Sequence, residues 1–239
     1  MSTRPANGDP ISVFLVEDHP AILEAVTCQA SETPDVEVCG TTGSTTEAFR
    51  QIERHQPDVV VVDISLEDGH GLDLIQNVQA QCSGVKSIVF SMYDETVYAE
   101  RALQAGASGY LMKNEPLREL INGIRAVSDG EVYLSDRMSS RVLNKALREE
   151  VAEAGSPIDE LTDRELAVFL MLGEGYNLDE IQDRLNIARK TVEAYRRRAK
   201  EKLGFDSVAE VLQYAVKWTS APEDGAERLK DASRKRDTA

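Results

Sequence analysis

The chain of 239 residues is 41% hydrophobic and 29% charged, an ordinary composition for a globular protein of one large or two modest domains. Its net charge of −15 argues against general coating of nucleic acids but does not exclude one basic helix directed at them. No apolar run is long enough to span a membrane, and the first ten residues lack the apolar segment of a secretory signal. Three cysteines without metal-ligand spacing predict reduced, buried thiols, so we expect a cytoplasmic protein without membrane contact.

Charge is distributed unevenly along the chain. Residues 11–130 carry 7 Lys and Arg against 19 Asp and Glu, whereas the stretch 184–202 carries 8 basic and 2 acidic residues. An acidic first half and a basic island in the second half predict two domains with different functions.

In chain order, a tail at 1–10 is predicted to be disordered, and apolar runs then alternate with amphipathic segments. The predicted strands are 11–16, 36–41, 59–62, 85–91 and 109–113. The predicted helices are 21–30, 45–55, 72–81, 94–105 and 116–127. This alternation predicts an α/β domain over 11–130, with a flavodoxin-like, doubly wound sheet of five parallel strands, for which the order would be 2-1-3-4-5.

Carboxylates follow two strands that would be neighbours in this sheet. Asp63 follows the apolar run 59–62, and Glu17 and Asp18 follow the first strand. The carboxyl ends of parallel strands meet at the edge where such folds bind ligands, and clustered carboxylates repel one another unless a cation binds. We therefore expect a Mg²⁺ site at this edge. The alternatives are that Asp63 only starts a loop and that Glu17 and Asp18 only cap the next helix.

Ser91 and Lys113 end the fourth and fifth predicted strands, so both should reach the same edge. Together with Mg²⁺, Lys113 would neutralise a phosphoryl group, Ser91 would donate a hydrogen bond, and Asp63 would be the nucleophile that forms an acyl phosphate. Alternatively, Ser91 is a turn residue and Lys113 is a solvated strand end. Polar groups at four strand ends of one sheet favour the phosphoryl site.

Residues 11–130 resemble the receiver domain of bacterial two-component response regulators. The resemblance covers the whole domain and rests on four segments that occur in order, VEDHP, VVVVDISLEDGHG, FSMYDE and ASGYLMK. It implies that Asp63 is the phosphoacceptor and that Mg²⁺ is the cofactor. The other roles that it implies are the acidic pocket (Glu17 and Asp18), the metal-binding backbone carbonyl (Ser65), the switch pair (Ser91 and Tyr110) and the phosphate-binding ammonium (Lys113).

One loop departs from this family. The family usually has Met-Pro soon after the phosphoacceptor, where this chain has Ser65-Leu66-Glu67. We therefore expect the rate of phosphorylation or of hydrolysis to differ from that of typical family members. If the resemblance is set aside, Tyr110 is more typical of a partly buried aromatic residue on a strand. A metal-dependent phosphatase is a further alternative, but such enzymes commonly place a second Asp two residues after the aspartyl nucleophile, where Ser65 stands.

Residues 131–157 are predicted to be a helical linker that ends in a flexible joint at Ala154-Gly155-Ser156-Pro157. Thr162 and Glu165 then form a capping box that starts a helix ending near Gly173. Three further helices are predicted at 178–185, 189–203 and 208–218. The result is an all-α four-helix domain at 158–219 with a helix-turn-helix, followed by a disordered tail at 220–239.

The basic helix 189–203 has the charge expected of a DNA-reading helix, with a solvated charged face as the alternative. The segment LTDREL…GEGYNLDEIQDRLNIARKTVEAYRRRAKEKLG resembles the DNA-binding domain of NarL/FixJ (LuxR-type) regulators. The resemblance places Lys190 and Thr191 against the DNA backbone and the final helix at a dimer contact. It also implies base-reading positions (Glu193, Ala194 and Arg197) and further DNA contacts (Arg189, Tyr195, Arg198 and Lys200).

Three positions depart from this second family, which usually has Ala at Gln182, Ser at Ala188 and His at Tyr195. Gln182 brings a longer polar group to a place where helices pack closely, and Ala188 lacks a hydroxyl that could cap the recognition helix or bind phosphate. Tyr195 can still donate to a phosphate.

The sequence as a whole predicts a transcriptional regulator, not an enzyme, that a histidine kinase phosphorylates on Asp63 and that then binds double-stranded DNA as a homodimer. The receiver would catalyse only its own phosphotransfer and dephosphorylation. The alternative is a regulator that acts without phosphorylation, or through protein binding by an atypical helix-turn-helix.

Overall fold

The computed structural model describes residues 9–66, 68–148, 157–185 and 187–220, without the side chains of 145–148 and 159. The chain divides into two compact units, Met1–Glu150 and Val151–Ala239. The predicted tails and the predicted flexible joint lie largely outside the described residues. None of the described helices is both long enough and apolar enough to cross a membrane.

The first unit contains a five-stranded parallel sheet with flanking helices, which confirms the predicted fold class. Its strands are β1 Ile11–Val16, β2 Val36–Thr42, β3 Val59–Val62, β6 Lys86–Ser91 and β7 Gly109–Met112. They run in the order β2-β1-β3-β6-β7, with every neighbouring pair parallel. In sequence order of the five strands this is the 2-1-3-4-5 arrangement, so β1 and β3 are neighbours, as the site requires.

Local sequence signals account for the ends of the helices that connect these strands. Their bounds are α1 Pro20–Ser31, α2 Thr45–His55, α3 Gly71–Gln81, α4 Glu95–Ala105 and α5 Leu117–Ser128. The side chain of Ser44 accepts a hydrogen bond at the start of α2, and that of Asp94 does so at the start of α4. Gly106 ends α4 with a φ of 102°, a conformation that favours glycine.

The sheet is buried on both faces because alternate side chains of each strand point to opposite sides. Val13, Val59 and Ile88 belong to a core that α1 and α5 cover through residues such as Val26 and Ile124. The alternate residues, including Phe14, Val60 and Val62, are also buried and have a relative exposure of 0%. This explains why the strands read as continuous apolar runs.

Two features of the first unit were not predicted. Ser65–Leu66 (β4) and Gly69–His70 (β5) form a short antiparallel hairpin after β3. Tyr133 forms an isolated parallel bridge with Gly109, so it extends the sheet beyond its edge strand β7.

The linker segment after Tyr133 forms helix α6, Asp136–Arg148, and Met138 on this helix is 1% exposed.

The described residues of the second unit form only helices and turns, as predicted. A single 3₁₀ turn at Pro157–Glu160 precedes α7 Asp163–Gly173, α8 Leu178–Leu185, α9 Arg189–Lys202 and α10 Val208–Ser220. Helix α7 forms the centre of this unit, because every residue from Glu165 to Leu172 is buried. Both hydrogen bonds of the predicted capping box, between Thr162 and Glu165, are present.

The three cysteines are free, and only Cys82 is buried. Cys28 is exposed and Cys39 is half-buried, so the prediction that all three are buried was wrong for these two. Cys28 lies on α1, where only Val26 and Ala30 are buried.

Candidate functional site

The sheet brings four predicted site residues to one edge. Glu17 directly follows β1, Asp63 follows β3, Ser91 is the last residue of β6, and Lys113 follows β7. Because these four strands are parallel neighbours, their carboxyl ends open on the same side. A pocket of the first unit is lined by Glu17 and Asp63 together with core residues of β1 and α1.

Lys113 joins the two buried carboxylates. Its Nζ atom lies 2.6 Å from Glu17 Oε2 and 2.8 Å from Asp63 Oδ2, and its side chain is only 4% exposed. The alternative of a solvated strand end for Lys113 is therefore wrong. An ammonium between two carboxylates is already positioned to meet the oxygens of a group that Asp63 would carry.

Burial dominates the electrostatics of this cluster. Burial raises the pKa of Glu17, and the negative charge of Asp63 adds to the effect, while Lys113 opposes both. Burial also raises the pKa of Asp63, against Lys113, the Ser65 backbone N–H and the Ser91 hydroxyl. Burial lowers the pKa of Lys113, but the two carboxylates outweigh it and the net shift is upward. A further cation would relieve the remaining repulsion.

The donor atoms fit a hard divalent cation. Ligand atoms of Glu17, Asp18 and His19 lie within 4.8 Å of one another. Asp63 Oδ1 is buried and makes no hydrogen bond to any described residue, so one carboxylate oxygen remains for a metal. Oxygen ligands of this kind suit Mg²⁺. The backbone of Ser65 lies beside the same carboxyl.

His19 is a neighbour of this site that the sequence reading did not single out. Its Nδ1 atom lies 3.1 Å from Asp18 Oδ1 and 3.6 Å from Glu17 Oε1, and its side chain is 74% exposed. Its backbone N–H donates to Glu17 Oε1 at 3.0 Å. The position of His19 directly after the two acidic residues is the sequence feature from which its place beside the site could have been predicted.

The predicted switch residues lie next to one another behind the acidic pocket. Ser91 is 1% exposed and is the last strand residue of β6, so it is not a turn residue. Tyr110 is also 1% exposed, and its hydroxyl donates to the Tyr93 carbonyl at 2.8 Å. The Tyr93 ring stacks on Tyr98 with 4.8 Å between ring centroids. Tyr110 thus already occupies an inward position.

The helix-turn-helix presents much of its basic helix to solvent. Ile181 and Leu185 of α8 are buried, as are Val192 and Ala199 of α9, so these faces hold the pair in the unit. The predicted DNA contacts divide into exposed residues (Arg189, Lys190, Glu193, Arg197 and Arg198) and half-buried ones (Thr191, Ala194, Tyr195 and Lys200).

Several of these side chains have partners within the unit. Arg189 pairs with Asp179 and, at 3.4 Å, with Glu193. The Lys200 ammonium donates to the backbone carbonyl of Asp206 at 3.3 Å. Arg198 lies 5.9 Å from the ring centroid of Tyr195, within range of a cation–π contact.

The departures at Gln182 and Ala188 have visible structural consequences. Ala188 is the N-cap of α9 in an extended conformation, and no side chain caps the helix there. Gln182 is half-buried, and its amide nitrogen donates to Asp183 at 3.4 Å, so this polar group lies at the helix surface.

Helix α10 separates its apolar residues into two sets. Val211 and Ala215 are buried, as predicted for an inward face. Val208, Leu212 and Val216 form an exposed apolar stripe, with exposures of 42%, 44% and 42%. Their spacing of four residues places them on one side of the helix.

Two family models match the chain. The model for the response regulator receiver domain matches residues 13–125, and the model for bacterial regulatory proteins of the luxR family matches residues 159–215. The first match includes the acidic pocket, and the second includes the four helices of the second unit up to Ala215 on α10.

Relatives extend along nearly the whole chain. The oxygen regulatory protein NreC of Staphylococcus carnosus is 30% identical over 211 residues, which are 87% of this chain and 97% of that protein. NreC of Staphylococcus epidermidis is 28% identical over 212 residues, with the same coverage.

Solved structures share the fold. A two-component response regulator of the LuxR family from Aurantimonas sp. has a TM-score of 0.54 and 25% identity, and the match covers 58% of this chain and 99% of that one. RcsB from Salmonella enterica serovar Typhimurium, bound to promoter DNA in the presence of a phosphomimetic, has a TM-score of 0.57 and 21% identity. That match covers 87% of this chain and 99% of the RcsB chain.

Proposed function

Because the chain belongs to the two-component response regulators with a LuxR-type DNA-binding domain, we propose that a sensor histidine kinase phosphorylates it on Asp63 to control transcription. The observation that carries the assignment of Asp63 is the buried contact of its Oδ2 with Lys113 Nζ at 2.8 Å, beside Glu17. The oxygen Oδ1 of the same carboxylate has no hydrogen-bond partner among the described residues.

In the proposed reaction, a carboxylate oxygen of Asp63 attacks the phosphorus of a phosphohistidine. The P–O bond forms as the P–N bond breaks, and the imidazole of the kinase leaves. Lys113 neutralises the transferred phosphoryl group and Ser91 donates a hydrogen bond to it. Glu17, Asp18, Asp63 and the Ser65 carbonyl would hold Mg²⁺, which supplies positive charge to the phosphoryl oxygens. The chain would catalyse only this transfer to itself and its own dephosphorylation, in which water attacks the acyl phosphate and inorganic phosphate leaves.

The switch would work by shifting populations. Tyr110 is already inward, so phosphorylation would stabilise this arrangement when Ser91 turns toward the phosphoryl group. The change would bias the face built from α4, β7 and α5, and would thereby favour a dimer.

DNA binding would use α9 in the major groove. The exposed Lys190 and Arg197 would contact backbone and bases, respectively, and Glu193 would read a neighbouring base edge. The α10 stripe of Val208, Leu212 and Val216 supports the proposed dimer, because a second copy would cover these apolar side chains. The RcsB structure bound to promoter DNA supports the same use of the fold. We place this activity in the cytoplasm.

One observation favours a second candidate, a regulator that acts without phosphorylation. Tyr110 is buried, and its hydroxyl donates to the Tyr93 carbonyl at 2.8 Å, which is the inward position that the switch would use. In that case DNA binding would not change on phosphorylation.

The deciding experiment is labelling of the full-length protein with acetyl phosphate and Mg²⁺, followed by intact-mass measurement and light scattering. We expect one phosphoryl group on the wild type and on the control Asp129→Asn, and none on Asp63→Asn. Asp63→Asn should unfold at or above the wild-type temperature, because burial raises the pKa of Asp63 and its charge opposes folding at neutral pH. Normal labelling of Asp63→Asn would contradict the assignment.

The same samples test the switch. A monomer-to-dimer shift with beryllofluoride that is lost in Asp63→Asn supports phosphorylation-dependent assembly. Equal DNA affinity with and without beryllofluoride would favour the second candidate instead.

A further inference from the structure

Asp68 connects the hairpin after Asp63 to a distant helix. It lies between β4 and β5, and its carboxylate accepts hydrogen bonds from the start of α2. The donors are Ser44 Oγ at 2.5 Å, Thr45 N at 2.7 Å, Thr45 Oγ1 at 3.1 Å and Thr46 N at 3.4 Å. Burial raises the pKa of Asp68, but the four hydrogen bonds together outweigh it and the net shift is downward. The ionised carboxylate is therefore the bound form.

The loop before α2, which donates to Asp68, contacts the acidic pocket. The Thr42 carbonyl accepts from the backbone N–H of Glu17 at 2.9 Å. A Cβ on Gly43 would lie 3.1 Å from the Cα of Asp18. The loop that donates to Asp68 is thus in direct contact with the backbone of both acidic residues.

The hairpin on the other side of Asp68 leads to the phosphoacceptor. Ser65 begins β4 and pairs with His70, and its backbone N–H faces the Asp63 carboxyl. The Gly71 N–H donates to the Ile64 carbonyl at 2.9 Å. A Cβ on Gly71 would come within 2.1 Å of the Asp63 carbonyl oxygen, so only glycine allows this close return of the chain.

The hairpin needs an anchor outside itself. Its strands have two residues each, and an isolated pairing of this length is not stable in water. Gly69 lies so close to α2 that an added Cβ would be 2.3 Å from Thr45 Oγ1. The hydrogen bonds of Asp68 hold the hairpin in this contact.

We propose that Asp68 is a positioning residue for divalent-cation binding, because it fixes the Ser65 backbone relative to the carboxylates of Asp18 and Asp63. The inference rests on the proposed function, which assigns the cation to these ligands. Asp68 contacts none of the ligand atoms itself and acts through the loop at 42–46 and the hairpin.

A purely structural role makes a different prediction. The negative charge of Asp68 at the N-terminus of α2 satisfies backbone N–H groups that the helix leaves open, and this stabilises the helix. If that were its whole contribution, removing it would lower the unfolding temperature and leave cation affinity unchanged.

The test is titration of the full-length protein with Mg²⁺ by calorimetry, for the wild type and three variants. Asp68→Ala removes the anchor, and Asp68→Asn keeps one acceptor oxygen. Thr162→Ala is the matched control, because it removes a helix cap from the second unit. We expect Asp68→Ala to weaken Mg²⁺ binding roughly tenfold, as removal of a group that orients metal ligands typically does. Asp68→Asn should lie between it and the wild type, and Thr162→Ala should bind normally.

Hydrogen exchange without any cation gives an independent result. In Asp68→Ala the amides of residues 64–70 should exchange faster than in the wild type, while those of α5 should not change. If Asp68→Ala does not fold, the comparison of Asp68→Asn with the wild type decides by the same two measurements.

The outcomes separate the two proposals. Wild-type Mg²⁺ affinity in Asp68→Ala, with only a lower unfolding temperature, overturns the positioning role and leaves the proposed function intact. A wild-type protein that takes no Mg²⁺ and no phosphoryl group overturns the proposed function, and the positioning role with it.

Discussion

A single side chain, Glu165, ties the recognition helix to the centre of the second unit. It is 2% exposed, accepts from the Thr162 N–H at 2.9 Å and accepts from the Lys202 ammonium at 2.7 Å. Burial alone would raise its pKa, but Lys202 and Thr162 outweigh burial and hold the pKa below 4.5. The carboxylate therefore stabilises the fold in its ionised form.

This arrangement predicts a pH-dependent effect of Glu165→Gln. The pKa of Glu165 is lower in the folded protein than in the unfolded chain. The stabilisation is therefore complete above pH 4.5 and is lost as the pH falls through the pKa of the folded protein. The variant should lose about 1 kcal/mol of unfolding free energy at neutral pH, and the difference should shrink below pH 4.5. Urea unfolding of both proteins at the two pH values measures this. A difference that does not depend on pH would contradict the role of the charge.

Ala188 offers the opposite kind of prediction, a gain in stability. It has the extended backbone of an N-cap residue but no side chain that can accept a hydrogen bond. Ala188→Ser should add about 1 kcal/mol to the unfolding free energy of the second unit, as hydroxyl N-caps typically do. Thermal unfolding followed by circular dichroism would show it, and Ala194→Ser, in the middle of α9, is the control that should not stabilise.

The proximity of individual site residues could be foreseen only where chain order alone brings them together. Asp63, Ser91 and Lys113 follow strands, and parallel strands end at a common edge, so their meeting was predictable. The contact between Asp68 and Ser44 spans 24 residues and depends on the exact placement of a loop. No periodicity or spacing in the sequence reports such a contact.

At the level of elements, segments with a clear apolar pattern were predicted well, and the two-residue strands were not. The helices α8 and α9 have buried positions at helical spacing, and their predicted ends agree with the structure to within one residue. The hairpin β4–β5 has two residues in each strand, too few for an alternating pattern to appear. Its stability comes from contacts outside itself, which the local sequence cannot encode.

Tyr133 connects the edge of the sheet to helix α6. Its N–H donates to the Ser108 carbonyl at 2.9 Å, and its carbonyl accepts from the Tyr110 N–H at 2.9 Å. The side chain occupies the space that the absence of a Cβ leaves at Gly123, and its hydroxyl donates to Glu119 at 3.1 Å. Ser135 and Arg141 add contacts to Glu95 and Glu100 of α4.

Tyr133→Ala should therefore loosen α6 without unfolding the sheet. We expect faster hydrogen exchange at Tyr110 and along α6, because the ring no longer holds the segment against α5, while α1 exchanges as before. Tyr133→Phe loses only the hydrogen bond to Glu119 and should remain close to the wild type. Equal exchange in the Ala and Phe variants would show that the backbone bridge alone holds α6.

For the molecule as a whole, the net charge of −15 contrasts with the basic surface of α9. An acidic protein is repelled by DNA except where this surface approaches it, so binding should depend strongly on salt and on the individual cations of α9. Lys190, exposed at the start of the helix, is the cation to test.

Lys190→Ala should weaken binding to different DNA sequences by a similar factor. It should reduce the slope of log affinity against log salt by about 0.9, the value for one phosphate contact. Fluorescence anisotropy at several salt concentrations measures the slope. Lys86→Ala, an exposed cation on the sheet of the first unit, should leave the slope unchanged. A loss confined to one DNA sequence would instead make Lys190 a base-reading residue.

The bridge from Tyr133 to Gly109 also has a consequence for recombination of such domains. A graft that joins this receiver to a foreign output module at residue 130 would discard the segment that pairs with β7. The newly bare edge of the sheet would then be open to pairing with other chains. A chimera that retains the chain through α6 keeps this edge covered, so the transferable module is longer than the five strand–helix pairs suggest.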